Sequence, residues 1–145
     1  MTDLDRLLHD HAIARLITRY ATLNDAARWD AVAALYTEDG RMSRPIAPDS
    51  FTEGRAAILA GFLARPARAS RHIVANILVD VAADGITATA SSQILLFTAS
   101  EADDGGLPIQ SAKPPLVGSY ADRLVYQDGV WKFTERRGSL DFRQA

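Results

Sequence analysis

A chain of 145 residues, 48% hydrophobic and 23% charged, has the length and balance of one soluble domain with a core of its own. The formal net charge of -2 argues against a basic face for nucleic acid or an anionic membrane, and the absence of cysteine removes disulfides, thiolate catalysis and cysteine-ligated zinc. No apolar run approaches membrane-spanning length, and the acidic opening from Met1 to Asp5 lacks a secretory pattern, so the expectation is a cytoplasmic protein.

The first third reads as helix. Asp10 can cap a segment from about His11 to Ala27, whose stripe is Ile13, Leu16, Ile17, Tyr20, Ala21 and Leu23. A second, short helix runs from Trp29 to about Tyr36 and is stopped by Asp39-Gly40. Arg41 to Ser43 and Phe51 to Glu53 are short extended candidates, with Pro45 breaking the first. Helical spacing returns from Arg55 to Leu63 and ends before Pro66. The remainder reads as strand: Arg71 to Val81, Ile86 to Ala99, Leu116 to Tyr126, and Val130 to about Gly138. Asp84-Gly85 and Asp128-Gly129 mark hairpin turns, and Ser100 to Pro115 is a loop rich in Asp, Gly and Pro. Helices followed by a meander of long strands mean one α+β domain over residues 1–145, with no repeat or linker. A long curled sheet around its helices should leave an interior pocket at the wide end.

Strand parity puts His72, Val74, Asn76 and Leu78 on one face, and Ile73, Ala75, Ile77 and Val79 on the other. A lone His in an apolar wall is usually a satisfied core residue, but Asn76 beside it shifts the reading towards a ligand-facing pair. Asp25 falls at the edge of the first helix's apolar stripe, where a solvated turn residue or a cap for the next helix is the common reading; Asp30 suits the capping role nearly as well, which leaves Asp25 freer for another. Tyr20, Tyr36, Tyr120 and Tyr126 are candidate hydroxyl donors. Arg136-Arg137 could hold an anion, although an ion-paired edge is the plainer reading. Neither metal-ligand spacing, nor a glycine-rich phosphate loop, nor a GxSxG elbow occurs.

The succession "LNDAARWDAVAALYTEDG", "GRAAILAGF", "SRHIVANILVD" and "VGSYADRLVYQDGVWKFTERR" resembles the SnoaL-like branch of the nuclear transport factor 2-like superfamily over nearly the whole chain. Within it the chain looks like the scytalone dehydratase, hexachlorocyclohexane dehydrochlorinase and bile-acid dehydratase group. The resemblance implies a cystatin-like cone, a strongly curved, mostly antiparallel mixed sheet wrapped around N-terminal helices, and chemistry without a cofactor or metal. It also implies that Asp25 and His72 match the group's Asp–His pair, and that Tyr20 matches the tyrosine five residues before the aspartate. Other positions depart. Leu96 stands near a second histidine of scytalone dehydratase, Gly118 and Tyr120 replace its Ser and Asn, and Tyr126-Gln127 occupy the place of the dehydrochlorinase arginine. Those departures imply different substrates.

The expected activity is therefore a cofactor-independent, dehydratase-type elimination on a small hydrophobic, cyclic or aromatic molecule. Asp25, His72 and Tyr20 would be catalytic, and Tyr36, Met42, Phe62, Asn76, Leu96, Phe97 and Tyr120 would line the pocket. Two alternatives stand beside it: a ketosteroid-isomerase- or polyketide-cyclase-like enzyme with Asp25 as direct base, and a non-catalytic ligand-binding or structural subunit. An apolar outer sheet face further predicts a closed homo-oligomer, trimer ahead of dimer.

Overall fold

The computed structural model describes residues 1–100, 103 and 106–143. Helix α1 (Asp3–Asp25) begins well before the predicted cap at Asp10. The Thr2 hydroxyl accepts from the Asp5 amide while the Asp5 carboxylate accepts from the Thr2 amide, a reciprocal capping box that starts the helix at the chain's opening residues. Asp10 is then simply an interior position of the helix. Helix α2 (Trp29–Ala33) is shorter than predicted, because Tyr36 opens strand β1 (Tyr36–Arg44) instead of closing the helix. That strand passes through Asp39-Gly40, and the shift in register between Tyr36 and Arg41 absorbs the turn-forming pair as a bulge.

Strand β2 (Ala47–Glu53) returns along β1, and α3 (Arg55–Leu63) falls where its periodicity predicts. Strands β3 (Ser70–Val81), β4 (Thr87–Thr98), β5 (Leu116–Gln127) and β6 (Val130–Leu140) form the expected antiparallel meander. The predicted loop 100–115 lies partly outside the described residues. One curved, unclosed six-stranded sheet results, in the order β2-β1-β6-β5-β4-β3; only the β1–β6 pairing is parallel. The concave face carries the core: Ile13, Leu16, Ile17 and Tyr20 of α1 pack with Val32, Ile58, Phe62, Ala88, Ala90, Leu124, Trp131 and Phe133. Among the described residues no helix is long and apolar enough to cross a membrane.

Strand β3 departs from simple alternation. Asn76 takes a left-handed backbone, φ 52°, and the register against β4 shifts between Ala75 and Leu78. Before the bulge His72 and Val74 turn to the concave side; after it Ile77, Val79 and Val81 do. The predicted faces are thus exchanged halfway along the strand. Asn76 and Leu78 are exposed instead of lining the interior.

Candidate functional site

Helix α1 delivers Asp25 on its last turn. The chain leaves the helix through paired backbone bonds, Ala27 N–H to Asn24 O and Arg28 N–H to Leu23 O, with Ala27 left-handed at φ 53°. An acid at this end faces the negative pole of the helix and has no basic residue in the last turn to offset it. What holds it is the start of β3. The Ser70 hydroxyl donates to Oδ1 at 2.9 Å and the His72 backbone amide to Oδ2 at 2.8 Å. His72 Nδ1 lies 2.5 Å from Oδ1. The Asp25 side chain is 6% exposed and that of His72 10%. Because a carboxylate only accepts, Nδ1 carries the hydrogen, and in the neutral ring the lone pair is then on Nε2. Among the described residues Nε2 meets no hydrogen-bond partner. Ser70 was not anticipated as part of the site; its only signal in the sequence is its place two residues ahead of His72 on the same strand face.

A second polar cluster lies deeper in the cone. The Arg136 guanidinium meets Asp122 through two bonds, Nε to Oδ1 at 2.9 Å and a terminal N–H to Oδ2 at 3.1 Å, with almost no solvent exposure on either side. The rings of Tyr20, Tyr120 and Phe133 stand 3.8 to 4.6 Å from the guanidinium carbon. Burial pushes the Asp122 carboxyl up against the pull of Arg136. For Arg136 burial is the largest influence and works downward, but Asp122, with Tyr120 and Tyr20, outweighs it and raises the guanidinium's pKa, so the arginine stays charged. Of the two predicted readings of Arg136-Arg137, ion pairing is the one observed: Arg136 is buried on Asp122, and Arg137 bonds Asp49 at the surface. Asp122 was missed because the bulge between Arg123 and Leu124 moves it opposite Arg136, one place off the register counted from the Asp128-Gly129 turn.

Tyr20, Tyr36 and Tyr120 belong to this second cluster, with Tyr20 edge-on to both other rings. Burial, reinforced by the nearby Tyr20, raises the Tyr36 phenol well above its ordinary value; burial does the same to Tyr120, so both stay protonated hydroxyls at neutral pH. The Tyr36, Ser43 and Ser92 hydroxyls are buried without a hydrogen-bond partner among the described residues.

Met42 and Phe62 sit together in a third place, a hollow of about 20 Å³ lined also by Arg44, Thr52, Ile58, Gly61 and Arg65. That hollow has room for about one water. A larger depression, about 330 Å³, lies between α2 and the end of α3, where Trp29 stacks on Phe62 at 5.1 Å. Leu96 is half-buried directly across the ladder from His72. Two predicted lining residues are corrected. Phe97, next to inward-facing Leu96, points outward by alternation and is exposed, and Asn76 sits on the bulge with its amide donating to Gln93. Tyr126 lies far along the hairpin, edge-on to His9 and beside Trp131. Among the described residues no three His, Asp or Glu side chains group as a metal site.

Known structures share this architecture. A Novosphingobium aromaticivorans protein described as nuclear transport factor 2-like with a cystatin-like fold is 26% identical, with 97% of this chain covering 87% of that one at a TM-score of 0.76. A candidate scytalone dehydratase from the same organism is also 26% identical, with coverage of 100% and 94% and a TM-score of 0.77. A type 2 hexachlorocyclohexane dehydrochlorinase shares the fold at 19% identity, with coverage of 97% and 90% and a TM-score of 0.79. None of the curated proteins matches the chain significantly. Residues 5–137, from the capping box of α1 to the end of the β6 arginines, match the family model described as the SnoaL-like domain. With its helices set in the hollow of one curved, unclosed sheet, the chain belongs to the SnoaL-like domain family and has the nuclear transport factor 2-like fold.

Proposed function

We propose that this protein is a cofactor-independent lyase that removes water from a small cyclic or aromatic substrate. The supporting observation is the orientation of His72: Asp25 engages Nδ1, which fixes the tautomer and leaves Nε2 as the base. In the proposed step Nε2 takes a proton from a carbon next to the one bearing a hydroxyl. The C–H electrons become the new double bond, and the hydroxyl leaves, taking a proton to depart as water. The Asp25 carboxylate stabilises the imidazolium that forms. Tyr20, or Tyr120, which burial holds as a hydroxyl, would donate to the departing oxygen or to a developing enolate. The hollow beside Met42 and Phe62 is too small for such a substrate, so binding there would require its side chains to move aside. The resemblance of the fold to a candidate scytalone dehydratase points in the same direction.

The alternative of Asp25 as direct base is disfavoured by its bonding. Both carboxylate oxygens already accept, from three donors, so attack on a substrate proton would sacrifice the contacts that place His72. Separate substitutions test the choice once a thermal-shift screen of hydroxylated aromatics, steroids and terpenoids supplies a substrate. Asp25→Asn and His72→Gln should each lower kcat by roughly 10²- to 10⁴-fold. A far larger loss for Asp25→Asn than for His72→Gln would reverse the assignment. A ligand that stabilises the protein without being converted would make it a binding protein.

A further inference from the structure

Most arginines of this chain with buried or half-buried contacts have an assigned partner. Arg136 has Asp122, Arg41 has Glu135 and Glu53, Arg137 has Asp49, and Arg55 grips the Tyr36 carbonyl. Arg65 does not. It follows the C-cap of α3, and its guanidinium lies 4.4 Å above the Phe62 ring, which fixes its plane but uses none of its N–H groups. Its Nε is buried and, among the described residues, has no hydrogen-bond partner. No carboxylate of the described residues pairs with Arg65 or with the more exposed Arg44, which lines the same hollow with Met42, Ile58 and Phe62.

Two like charges gathered on one hollow repel each other, and folding alone gives no return for the contact. Burial first, and then the positive charge of Arg44, pull the Arg65 pKa below the ordinary arginine value. Opposing those pulls are Tyr20 and Tyr120, so Arg65 also lies within electrostatic reach of the inner tyrosines. It stands at the start of the segment that leads within a few residues to Ser70 and His72.

We propose that Arg65, with Arg44, is an anion-reading subsite, and that the small molecule taken into the cone carries a carboxylate. The planar fork of Arg65 suits a carboxylate with two parallel N–H bonds, and Arg44 supplies the second charge. The carboxylate removes the repulsion between the arginines and gives the buried Nε its partner. The ligand class is thereby narrowed from hydrophobic to aromatic or cyclic acids. The inference rests on reading the cone as a ligand site, and it holds whether or not His72 performs an elimination.

Matched probes test it without knowledge of the natural substrate. Binding of 2-naphthoate and its uncharged counterpart 2-naphthamide is measured by calorimetry and thermal shift, on the wild type and on Arg65→Gln, Arg65→Lys, Arg44→Gln and His72→Gln. The wild type should favour the acid by on the order of tenfold in Kd, with the preference weakening as salt rises. Arg65→Gln should abolish the preference, Arg65→Lys should keep part of it, and His72→Gln should leave it intact. Equal affinity for acid and amide in the wild type, including no measurable binding of either, overturns the proposal. So does an acid preference that survives in a folded Arg65→Gln variant. Failure of the elimination reading would appear separately, as an acid preference without turnover of any hydroxylated acid.

Discussion

Arg136 and Asp122 are a pair in which each charge depends on the other. With the carboxylate removed, the guanidinium would remain fully buried among three aromatic rings with no counter-charge. Asp122→Asn is therefore expected to cost about 3–5 kcal/mol of folding stability in urea titration, whereas replacing both residues by apolar ones of similar volume should recover most of that loss. The contrast with Arg65 is one of accessibility: Arg136 is stacked against rings on several sides and already has two bonds to a carboxylate, so it has little left to offer a ligand. At this scale the sequence is only partly readable. Asp25 and His72 were paired only through the resemblance to the dehydratase group, each having a plainer reading from the residues alone, and the structure places them within hydrogen-bond distance. Asp122 was hidden by a one-residue bulge, and no pattern in the sequence singles out Arg65, whose neighbour Arg44 comes from a distant strand.

Among the elements, those with uninterrupted periodicity were read closely. Helix α3 and strands β4, β5 and β6 lie within a residue or two of their predicted bounds. The misreadings have physical causes. A capping box outweighed an internal Asp at the start of α1, and parallel pairing with β6 drew Tyr36 and Asp39-Gly40 into a strand. Alternation along β3 could not foresee the turnover at Asn76, since a left-handed residue within a strand is set by packing on both sides of it. The bulge also makes a definite demand on its residue. Asn is one of the few side chains that tolerate this backbone, so Asn76→Gly should be nearly neutral while the β-branched Asn76→Val should cost about 1–3 kcal/mol, measured by urea unfolding.

For the whole molecule, the convex side of the sheet is the feature without an internal explanation. Ile73, Leu95 and Val117 form one cross-strand row there, and Phe97 lies beside it, 39% exposed. The row is not the one parity predicted: Ile77 and Val79 have turned inward, and Leu78 has taken their place outside. We propose that a second copy of the chain covers this face in a closed homo-oligomer, trimer ahead of dimer. Sedimentation equilibrium at micromolar concentration should show a mass that is a multiple of 15.7 kDa and that falls towards one chain in Phe97→Asp. A single species of 15.7 kDa without concentration dependence would refute the assembly.

The bulge in β3 has a bearing on solubility as well. Strand β3 is one of the two outermost strands of an unclosed sheet, so the hydrogen-bonding groups along its free side face no partner strand. Twelve residues rich in Ile and Val at such a border would be a template on which a misfolded chain could zip up. The left-handed turn at Asn76 cuts that template into two halves whose side chains are out of phase, each too short to recruit a straight strand along its full length. The same residue that exchanges the two faces of the strand thus also keeps the border of the sheet from growing.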